Sequence, residues 1–479
     1  MAVYGRWLGP TLALLLLLLD PPEAFTPASW TVAALTVWMA VWWVSEAVPM
    51  PVTALLPLVF LPVLGVRDLA DVAAPYAHPL IFLFLGGFLL ALAVQRWNLH
   101  LRIALLVLGI AGQRPKRIVA GFMLATAGLS MWVSNTATAA MMLPIGISVL
   151  LLMAGQSPDQ PPEDEHRFSA ALLLGIAFAA NIGGMGTLIG TPPNALLAAF
   201  LADNYDIFIG FGQWMVIGVP VALILLGGCW WILTCWAFPL PDLPVTGVEA
   251  LLAQKKEELG PLTSAEKRVL AVFTLTALAW LLRPWLEPLV PGSRLSDPGI
   301  AITAAVALFL IPAGRGAVHP GALLDWDATR NLPWGVLLLV GGGLSLGTAL
   351  EQSGLAGIVA AWLAQLAGLP ILAVITTVAL LTMLLSHVTS NTAAAATLLP
   401  VASSLALALG VPVVMLAVPV ALAASCAFML PVATPPNAII FSSERLRVVD
   451  MVQAGARVSV LAMAIIIIAV LVIAQPLLG

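Results

Sequence analysis

The chain is a series of long apolar stretches separated by short polar connections. An α-helix needs about 20 mainly apolar residues to cross the roughly 30 Å of hydrocarbon in a bilayer. Two apolar stretches, 116–155 and 370–408, contain a polar group near the middle, and each predicts a re-entrant helical hairpin. The uninterrupted stretches predict about eleven membrane-spanning helices, at 7–20, 28–48, 50–67, 79–112, 168–203, 210–238, 265–284, 297–313, 333–364, 411–443 and 456–478.

Composition agrees with this pattern and argues against the soluble classes of protein. Of 479 residues, 61% are hydrophobic and 9% are charged, whereas a soluble chain has about 25% charged residues. A soluble enzyme, a nucleic-acid-binding protein and a disordered scaffold therefore do not fit. The net charge of −4 comes without a basic stripe for nucleic acid, so we expect membrane lipid and no nucleic acid as a partner. The sequence predicts an all-α polytopic protein of the cell (inner) membrane.

The distribution of lysine and arginine predicts the orientation, because these residues concentrate in cytoplasmic connections. Arg114, Lys116 and Arg117 begin the first interrupted stretch, and the polar loop 239–268 also contains lysine and arginine. The connection Ala367–Pro370, before the second interrupted stretch, has no positive charge. We therefore expect a cytoplasmic N-terminus, an extracytoplasmic C-terminus and two hairpins that enter from opposite sides.

The first apolar stretch has a second interpretation. Arg6 followed by Leu12–Leu19 also fits the charged and apolar regions of a secretory signal peptide. We favour a first membrane helix because a long series of further spans follows.

Two parts of the chain repeat each other. Residues 130–144 (SMWVSNTATAAMMLP) align without a gap with residues 386–400 (SHVTSNTAAAATLLP), at an offset of 256. The motif Thr191–Asn194 (TPPN) recurs as Thr434–Asn437, at an offset of 243. Repeats in opposite orientations are the plan of many secondary transporters. We therefore expect an inverted-topology repeat with two opposed hairpins and two broken helices.

The repeated motifs are typical of ion-binding sites inside a membrane protein. A helix that begins at a hairpin tip points free N–H groups and its positive dipole end into the membrane interior, where Ser, Asn and Thr add neutral donors and acceptors. Paired prolines open a helix because they remove N–H donors. Such sites bind anions at helix N-termini and cations at freed carbonyls. Helix capping and a proline kink are the structural alternatives, and the pairing of both motifs favours binding.

These motif segments contain no Lys, Arg, Asp or Glu. A dianion held there by neutral groups alone is costly unless counter-charge enters with it, which favours cation coupling. His387 is the one titratable group in these segments, and it fits a proton-linked role and a neutral buried role equally well. The sequence has no zinc motif, no ATP-binding loop and no nucleophile–base pair, so we predict neither an enzyme nor a cofactor.

The motifs resemble those of the divalent anion/sodium symporter family, the bacterial and animal di- and tricarboxylate carriers. The resemblance includes WWVSEAVPMPVTALLPL at 42–58, MWVSNTATAAMMLP, GTLIGTPPN and FMLPVATPPN, and it extends over most of the chain. It implies a homodimer in which a transport domain moves against a scaffold domain by an elevator mechanism. It also implies sodium as the coupling ion.

The resemblance further implies the residues of the site. It places one sodium site at each hairpin tip, formed by Ser130, Ser134, Asn135 and Gly190 and by Ser386, Thr389, Asn391 and Ala433. Substrate carboxylates are expected to contact Ser134, Asn135, Thr136, Thr191, Pro192, Ser390, Asn391, Thr392, Thr434 and Pro435. The clearest departure from the family pattern is His387, where relatives often have Glu, and this leaves the identity of the coupling ion open.

The same resemblance divides the chain into four segments. Residues 1–112 are expected to be scaffold helices, 113–208 the first half of the transport domain, 209–366 scaffold helices with the cytoplasmic loop 239–268, and 367–479 the second half of the transport domain. We predict a secondary active transporter for sodium-coupled uptake of C4-dicarboxylates such as succinate, malate or fumarate. A sodium-independent dicarboxylate exchanger, a sulfate or citrate carrier and an anion channel are the alternatives.

Overall fold

The structure is a computed structural model, which describes residues 2–154, 162–242, 245, 247–289, 295–314, 318–363 and 369–478. Across these ranges every element of regular secondary structure is helical. Ten of the described helices are long and apolar enough to cross a membrane, and five shorter apolar helices accompany them. The prediction of an all-helical polytopic membrane protein is confirmed.

The described helices run through the chain in the following order. Those of the first half are α1 (Ala2–Leu18), α2 (Pro27–Ser45), α3 (Met50–Thr53), α4 (Leu56–Val63), α5 (Leu69–Ala73), α6 (Pro79–Arg96), α7 (Leu99–Ala111), α8 (Pro115–Ser130), α9 (Asn135–Ala154), α10 (Pro162–Gly184), α11 (Pro192–Tyr205) and α12 (Phe211–Trp231). Those of the second half are α13 (Val248–Glu258), α14 (Ser264–Leu286), α15 (Asp297–Leu310), α16 (Trp334–Gln352), α17 (Leu355–Leu363), α18 (Ile371–Val388), α19 (Asn391–Leu409), α20 (Val414–Ala424), α21 (Pro435–Phe441), α22 (Val448–Ala469) and α23 (Gln475–Leu478). Short π-helical segments, Ile232–Ala237 and Val470–Ala474, continue α12 and α22.

Three of the predicted spans are each divided into two helices. The stretch 50–67 forms α3 and α4. The stretch 79–112 forms α6 and α7, which meet at Asn98 (φ 53°), and the stretch 333–364 contains α16 and α17, which meet at Gly354 (φ 78°). Gly and Asn are the residues that most readily adopt this left-handed conformation. Asn98 and Gly354 lie 256 residues apart, so the repeat extends to the helices before each hairpin.

Both interrupted stretches form the predicted hairpins. α8 and α9 pack against each other and are joined through Met131–Ser134, and α18 and α19 pack against each other and are joined through Thr389–Ser390. Ser134 and Ser390 each accept a hydrogen bond from the backbone N–H three residues later, at 3.3 Å and 3.2 Å. A hydroxyl in this position satisfies an N–H group that the first helical turn leaves unpaired. The Ser-Asn-Thr motif therefore starts the second helix of each hairpin.

Both broken helices are also present. The first consists of α10 and α11 with the segment 185–191 between them, and the second consists of α20 and α21 with the segment 425–434 between them. Thr191 and Thr434 have extended backbone (φ −144° and −140°), and prolines occupy the first turn that follows each threonine. Proline suits a first turn because the N–H groups there have no partner within the helix. The paired prolines therefore begin the second half of each broken helix.

Two helices, α10 and α20, form the interior of the protein. Every residue of α20 is buried, and so is α10 from Phe168 onward. The hairpin helices α8 and α9 pack on α10, and α18 and α19 pack on α20. α12 packs against α22, α10 and α8. α6, α14 and α15 pack against one another, and α16 packs against α6 and α11. The hairpins and broken helices therefore form one packed group together with α12 and α22.

The opposed orientation of the hairpins is a prediction that cysteine labelling can test. Of the predicted connection Ala367–Pro370, residues 367 and 368 lie outside the described residues, so Leu369 is the position of choice before α18. A cysteine at Gln113, before α8, should be cytoplasmic and one at Leu369 extracytoplasmic, because positive residues flank only the first position. In right-side-out vesicles an impermeant maleimide should label Leu369→Cys and leave Gln113→Cys unlabelled.

The labelling experiment needs a background without reactive cysteines. Cys229 and Cys426 are buried, and Cys235 is partly exposed, so Cys235→Ser provides that background. Labelling of both positions, or of Gln113→Cys alone, would contradict the inverted orientation.

Candidate functional site

A cavity of about 400 Å³ lies where the two hairpin tips meet the two broken helices. Phe88 of α6, together with Pro333 and Val336 at the start of α16, lines it from outside this group. The residues predicted to contact substrate all line the cavity, namely Ser134, Asn135, Thr136, Thr191, Pro192, Ser390, Asn391, Thr392, Thr434 and Pro435. Gly190 and Ala433, from the predicted sodium sites, line it as well. The fold thus brings both copies of both motifs to one place.

Behind the first hairpin tip, four polar groups converge, which we call the first oxygen cluster: the Ser130 hydroxyl, the Asn135 side-chain amide and the carbonyls of Ala180 and Gly190. Ser130 Oγ lies 2.7 Å from Asn135 Oδ1 and 2.7 Å from the Ala180 carbonyl oxygen. The position of Asn135 Oδ1 is also 3.1 Å from the Ala180 oxygen and 3.3 Å from the Gly190 oxygen. Three residues of the predicted first sodium site therefore come together, and Ser134 lies on the cavity side of them.

An equivalent group, the second oxygen cluster, lies behind the second hairpin tip. Ser386 Oγ lies 2.8 Å from Asn391 Oδ1 and donates to the Ala424 carbonyl. Thr389, which the family resemblance adds to this site, donates its hydroxyl to the Trp43 carbonyl of α2 at 2.9 Å. Ser386 and Asn391 therefore match the first cluster, and Thr389 links the hairpin tip to α2.

Helix ends give the two sides of the site opposite polarity. Ala180 lies near the C-terminal end of α10, which ends at Gly184, and Ala424 ends α20. The C-terminal end of a helix has free carbonyls and a negative dipole. In contrast, α9, α11 and α19 begin at residues that line the cavity, and a helix N-terminus has free N–H groups and a positive dipole. The oxygen clusters therefore suit cations, and the cavity in front of them suits an anion.

Formal charge is missing from this cavity. Among the described residues that line it, none is a lysine, arginine, histidine, aspartate or glutamate. Hydroxyls, side-chain amides and helix N-termini are therefore the groups that meet a ligand. A dianion bound by such groups inside a membrane protein requires positive charge from another source.

The asparagine of each Thr-Pro-Pro-Asn motif closes its broken segment. Asn194 donates its amide N–H groups to the carbonyls of Gly184 at 3.2 Å and Thr187 at 2.8 Å. Asn437 makes the same two bonds within its own copy, both at 3.0 Å. In each copy the accepting carbonyls lie 10 and 7 residues before the asparagine. The two broken segments therefore have the same internal support.

Three residues that contribute polar groups to the site were not identified from the sequence. Ala180 and Ala424 contribute backbone carbonyls, which every residue type has, so their side chains give no signal. Asn181 lines the cavity from α10. Its signal in the sequence is a lone amide within an otherwise apolar, buried helix, where polar side chains need partners.

His387 links the second hairpin to the second broken segment. Its Nδ1 donates to the Met383 carbonyl at 2.7 Å, and its Nε2 accepts a hydrogen bond from the Met429 N–H at 3.1 Å. A ring nitrogen that accepts a hydrogen bond is unprotonated, so both contacts use the neutral ring. Of the two interpretations that the sequence leaves open, this geometry supports the neutral, structural one.

Residues 6–479 match the protein family described as "Sodium:sulfate symporter transmembrane region". The chain belongs to this family. The resemblance to the divalent anion/sodium symporters is therefore confirmed. So is the prediction that the protein is a transporter and not an enzyme.

Individual relatives agree with the family assignment. Two proteins named sodium-dependent dicarboxylate transporter SdcS, from Staphylococcus saprophyticus and Staphylococcus aureus, are 41% and 40% identical to this chain. Each alignment covers 99% of this chain and 92% of the relative. Among solved structures, the YdaH transporter of Alcanivorax borkumensis, described as having an unusual topology, is similar with a TM-score of 0.56 and 16% identity over 94% of this chain and 100% of that chain. At that identity the likeness shows the fold alone.

Replacing Asn194 or Asn437 by alanine should destabilise this symporter-family protein. Each substitution leaves buried carbonyls without a donor, and an unpaired buried polar group costs about 1–3 kcal/mol. The midpoint of thermal unfolding in detergent should therefore fall for both variants. Asn204→Ala is the matched control, because within the described part of the chain Asn204 donates only to the Phe200 carbonyl of its own helix. Its midpoint should stay close to that of the wild type. An unchanged midpoint for Asn194→Ala and Asn437→Ala would show that these bonds do not hold the broken segments.

Proposed function

We propose that this chain takes up C4-dicarboxylates, such as succinate, malate or fumarate, together with sodium ions. The observation that supports this most strongly is the position of the two oxygen clusters directly behind a cavity with helix N-termini. Relatives at 40–41% identity are named sodium-dependent dicarboxylate transporters, which supports the same pair of ligands.

When the Asn135 amide oxygen faces Ser130, the first oxygen cluster suits a sodium ion because it then has too few hydrogen-bond donors for its acceptors. Ser130 supplies a single hydroxyl proton, whereas the Asn135 amide oxygen and two carbonyls surround it. Unwound carbonyls and the C-terminal ends of half-helices coordinate sodium in transporters built from inverted repeats. The second oxygen cluster, with Ser386 and Asn391, offers a second site of the same kind.

Asn135 connects the cation site to the anion site. When its amide oxygen faces the first oxygen cluster, the oxygen is a cation ligand and the amide N–H groups are available to a carboxylate in the cavity. Without a cation the opposite orientation is favoured, because the nitrogen then donates to Ser130 at 2.7 Å, Ala180 at 3.1 Å and Gly190 at 3.3 Å. That orientation presents an oxygen to the cavity, where it repels a carboxylate. Sodium binding therefore prepares the cavity for the anion.

Charge balance gives the reason for coupling the two ligands. A C4-dicarboxylate brings two negative charges, and the described lining of the cavity offers no charged side chain. Moving an uncompensated charge into a membrane protein is costly. Sodium ions in the two oxygen clusters offset this cost. When both ligands have left, the described lining of the cavity has no charged side chain, so the empty carrier is free to return.

We further propose an elevator movement of the hairpins, the broken helices, α12 and α22 against the scaffold. The predicted boundary at residue 209 assigns α12 to the scaffold, but its packing against α22, α10 and α8 supports its inclusion in the moving part. Phe88, Pro333 and Val336, which line the cavity from α6 and α16, then form the fixed wall. A homodimer that joins two scaffolds fits this arrangement.

Uptake of labelled succinate into proteoliposomes tests the proposed function. An inward sodium gradient should increase the initial rate, and the rate should saturate with succinate and fall when potassium replaces sodium. Uptake that needs internal succinate but no sodium would identify an exchanger, and unsaturable uptake would identify a channel. Stronger competition by sulfate or citrate than by malate would identify a different carrier. Each of these three results would contradict the proposal.

Substitutions of the hairpin-tip asparagines, Asn135 and Asn391, should affect the binding of both sodium and succinate or of succinate alone, depending on the replacement. Asn135→Ala and Asn391→Ala remove a cation ligand and an anion donor together, so each should weaken succinate binding by about 1–3 kcal/mol. Asn135→Asp keeps an oxygen toward the first oxygen cluster but presents a negative charge to the anion. It should therefore retain sodium binding and lose succinate binding.

Calorimetric titration of sodium alone, and of succinate at saturating sodium, separates these effects. Asn204→Ala, outside the cavity lining, should leave both titrations unchanged. Wild-type succinate affinity in Asn135→Asp would contradict the role of this residue at the anion site, and loss of sodium binding in the same variant would contradict its role as an oxygen ligand.

A further inference from the structure

Asn181 is fully buried on α10 and lines the cavity. Its amide nitrogen donates to Thr434 Oγ1 at 3.1 Å and to Asn437 Oδ1 at 3.4 Å. Both acceptors belong to the second Thr-Pro-Pro-Asn motif, so a side chain of the first repeat supports a motif of the second. The amide oxygen of Asn181 is buried without a partner among the described residues. This is costly for a side chain that serves packing alone.

The contacts of Asn181 determine what the Thr434 hydroxyl does. The hydroxyl oxygen accepts from the Asn181 amide and from the Asn437 backbone N–H at 3.4 Å. A hydroxyl has two acceptor positions and a single proton. Because both acceptor positions are taken, the proton is left to be donated to a third group. Thr434 lines the cavity, so a ligand in the cavity is available as that acceptor.

Among the described residues, the first Thr-Pro-Pro-Asn motif receives no hydrogen bond like the one that Asn181 donates to Thr434. The Thr191 side chain makes no capping hydrogen bond, and the Asn194 amide oxygen has no partner among the described residues. Asn181 lies 13 residues before Asn194, and the residue 13 positions before Asn437 is Ala424. Alanine has no side-chain donor. In the pairing of the two oxygen clusters, where Ala424 matches Ala180, the counterpart of Asn181 is Ser425, whose buried hydroxyl has no hydrogen-bond partner among the described residues. By either count, no described residue of the second repeat returns such a contact to the first, and the difference between the two threonines follows from Asn181.

We propose that Asn181 is a positioning residue that orients the Thr434 hydroxyl as a donor to one carboxylate of the substrate. This inference rests on the proposed function, because it assumes a dicarboxylate in the cavity. It makes the two ends of the cavity unequal. The end at Thr434 binds a carboxylate in one fixed orientation, whereas the unconstrained hydroxyl of Thr191 adapts to the other end of the ligand. Thr434→Val should therefore weaken succinate binding more than Thr191→Val.

A double-mutant cycle over Asn181→Ala and Thr434→Val tests whether the asparagine acts through the threonine. The measurement is the dissociation constant of succinate at saturating sodium, by calorimetry. Thr434→Val should weaken binding by roughly 10- to 100-fold, because it removes a hydrogen bond to a charged group, and Asn181→Ala by about 3- to 10-fold, because the hydroxyl remains but is no longer oriented. The double variant should bind as Thr434→Val does. Losses that multiply in the double variant would overturn the proposal.

Two further measurements distinguish positioning from a general structural effect. Sodium-induced thermal stabilisation without succinate should be the same in Asn181→Ala as in the wild type, because the Ala180 carbonyl belongs to the backbone. A parallel loss of sodium binding would overturn the proposal. Asn181→Leu, which fills the space without a donor, takes the place of Asn181→Ala in the cycle if the alanine variant does not fold, with the same expected outcomes.

Failure of this inference is distinct from failure of the proposed function. If the wild type shows no sodium-dependent binding of succinate, the proposed function is wrong. If the wild type binds succinate and Asn181→Ala binds it equally well, only the role of Asn181 is wrong. Asn204 is an amide of α11 that donates within its own helix. The Asn204→Ala variant should match the wild type in every titration.

Discussion

The proposed site depends on one constraint: positive charge must reach an anion in a cavity whose described lining has no charged side chain. Helix N-termini and neutral donors meet part of this need, but their partial charges do not balance a dianion. A fixed arginine would bind the anion in the absence of any cation, whereas a mobile cation makes anion binding depend on its own presence. In the proposed mechanism, the absence of a charged clamp is thus the feature that makes anion binding depend on sodium.

The hairpins and the broken helices follow from the need to place helix ends inside the protein, beside this cavity. Hairpins and broken helices are the means of ending and starting a helix inside the protein, where irregular backbone must be buried or line a cavity. The motif asparagines Asn194 and Asn437 satisfy the carbonyls that each break releases. Ser134 and Ser390 cap the helices that begin at the tips. The same few polar residues therefore support the irregular backbone and line the cavity that we propose binds the anion.

The sequence predicts much of this site because its polar residues stand out in an apolar chain and occur twice. The hairpins, the broken helices and the cavity-lining residues of the Ser-Asn-Thr and Thr-Pro-Pro-Asn motifs all follow from that pattern. The contributions of Ala180 and Ala424 do not, because they are made by backbone carbonyls. The division of spans at Asn98 and Gly354 depends on a local left-handed turn, which an unbroken apolar stretch conceals.

The repeats also differ in ways that a comparison of motifs does not show. The motifs around Thr191 and Thr434 are the same, but among the described residues only the second receives a hydrogen bond from the opposite repeat. The packing of α12 on α22 is likewise a tertiary contact that hydropathy does not reveal. Local pattern therefore predicts the elements of this protein, and long-range contacts decide how its two halves differ.

The central claim is that sodium prepares the cavity for the anion, and equilibrium binding tests it most directly. The dissociation constant of succinate should be measured by calorimetry over a series of sodium concentrations, with choline added to keep the ionic strength constant. We expect succinate affinity to increase with sodium, and sodium affinity to increase by the same factor when succinate is present, because coupling between two sites is reciprocal. A succinate dissociation constant that is the same in sodium and in choline would contradict the account.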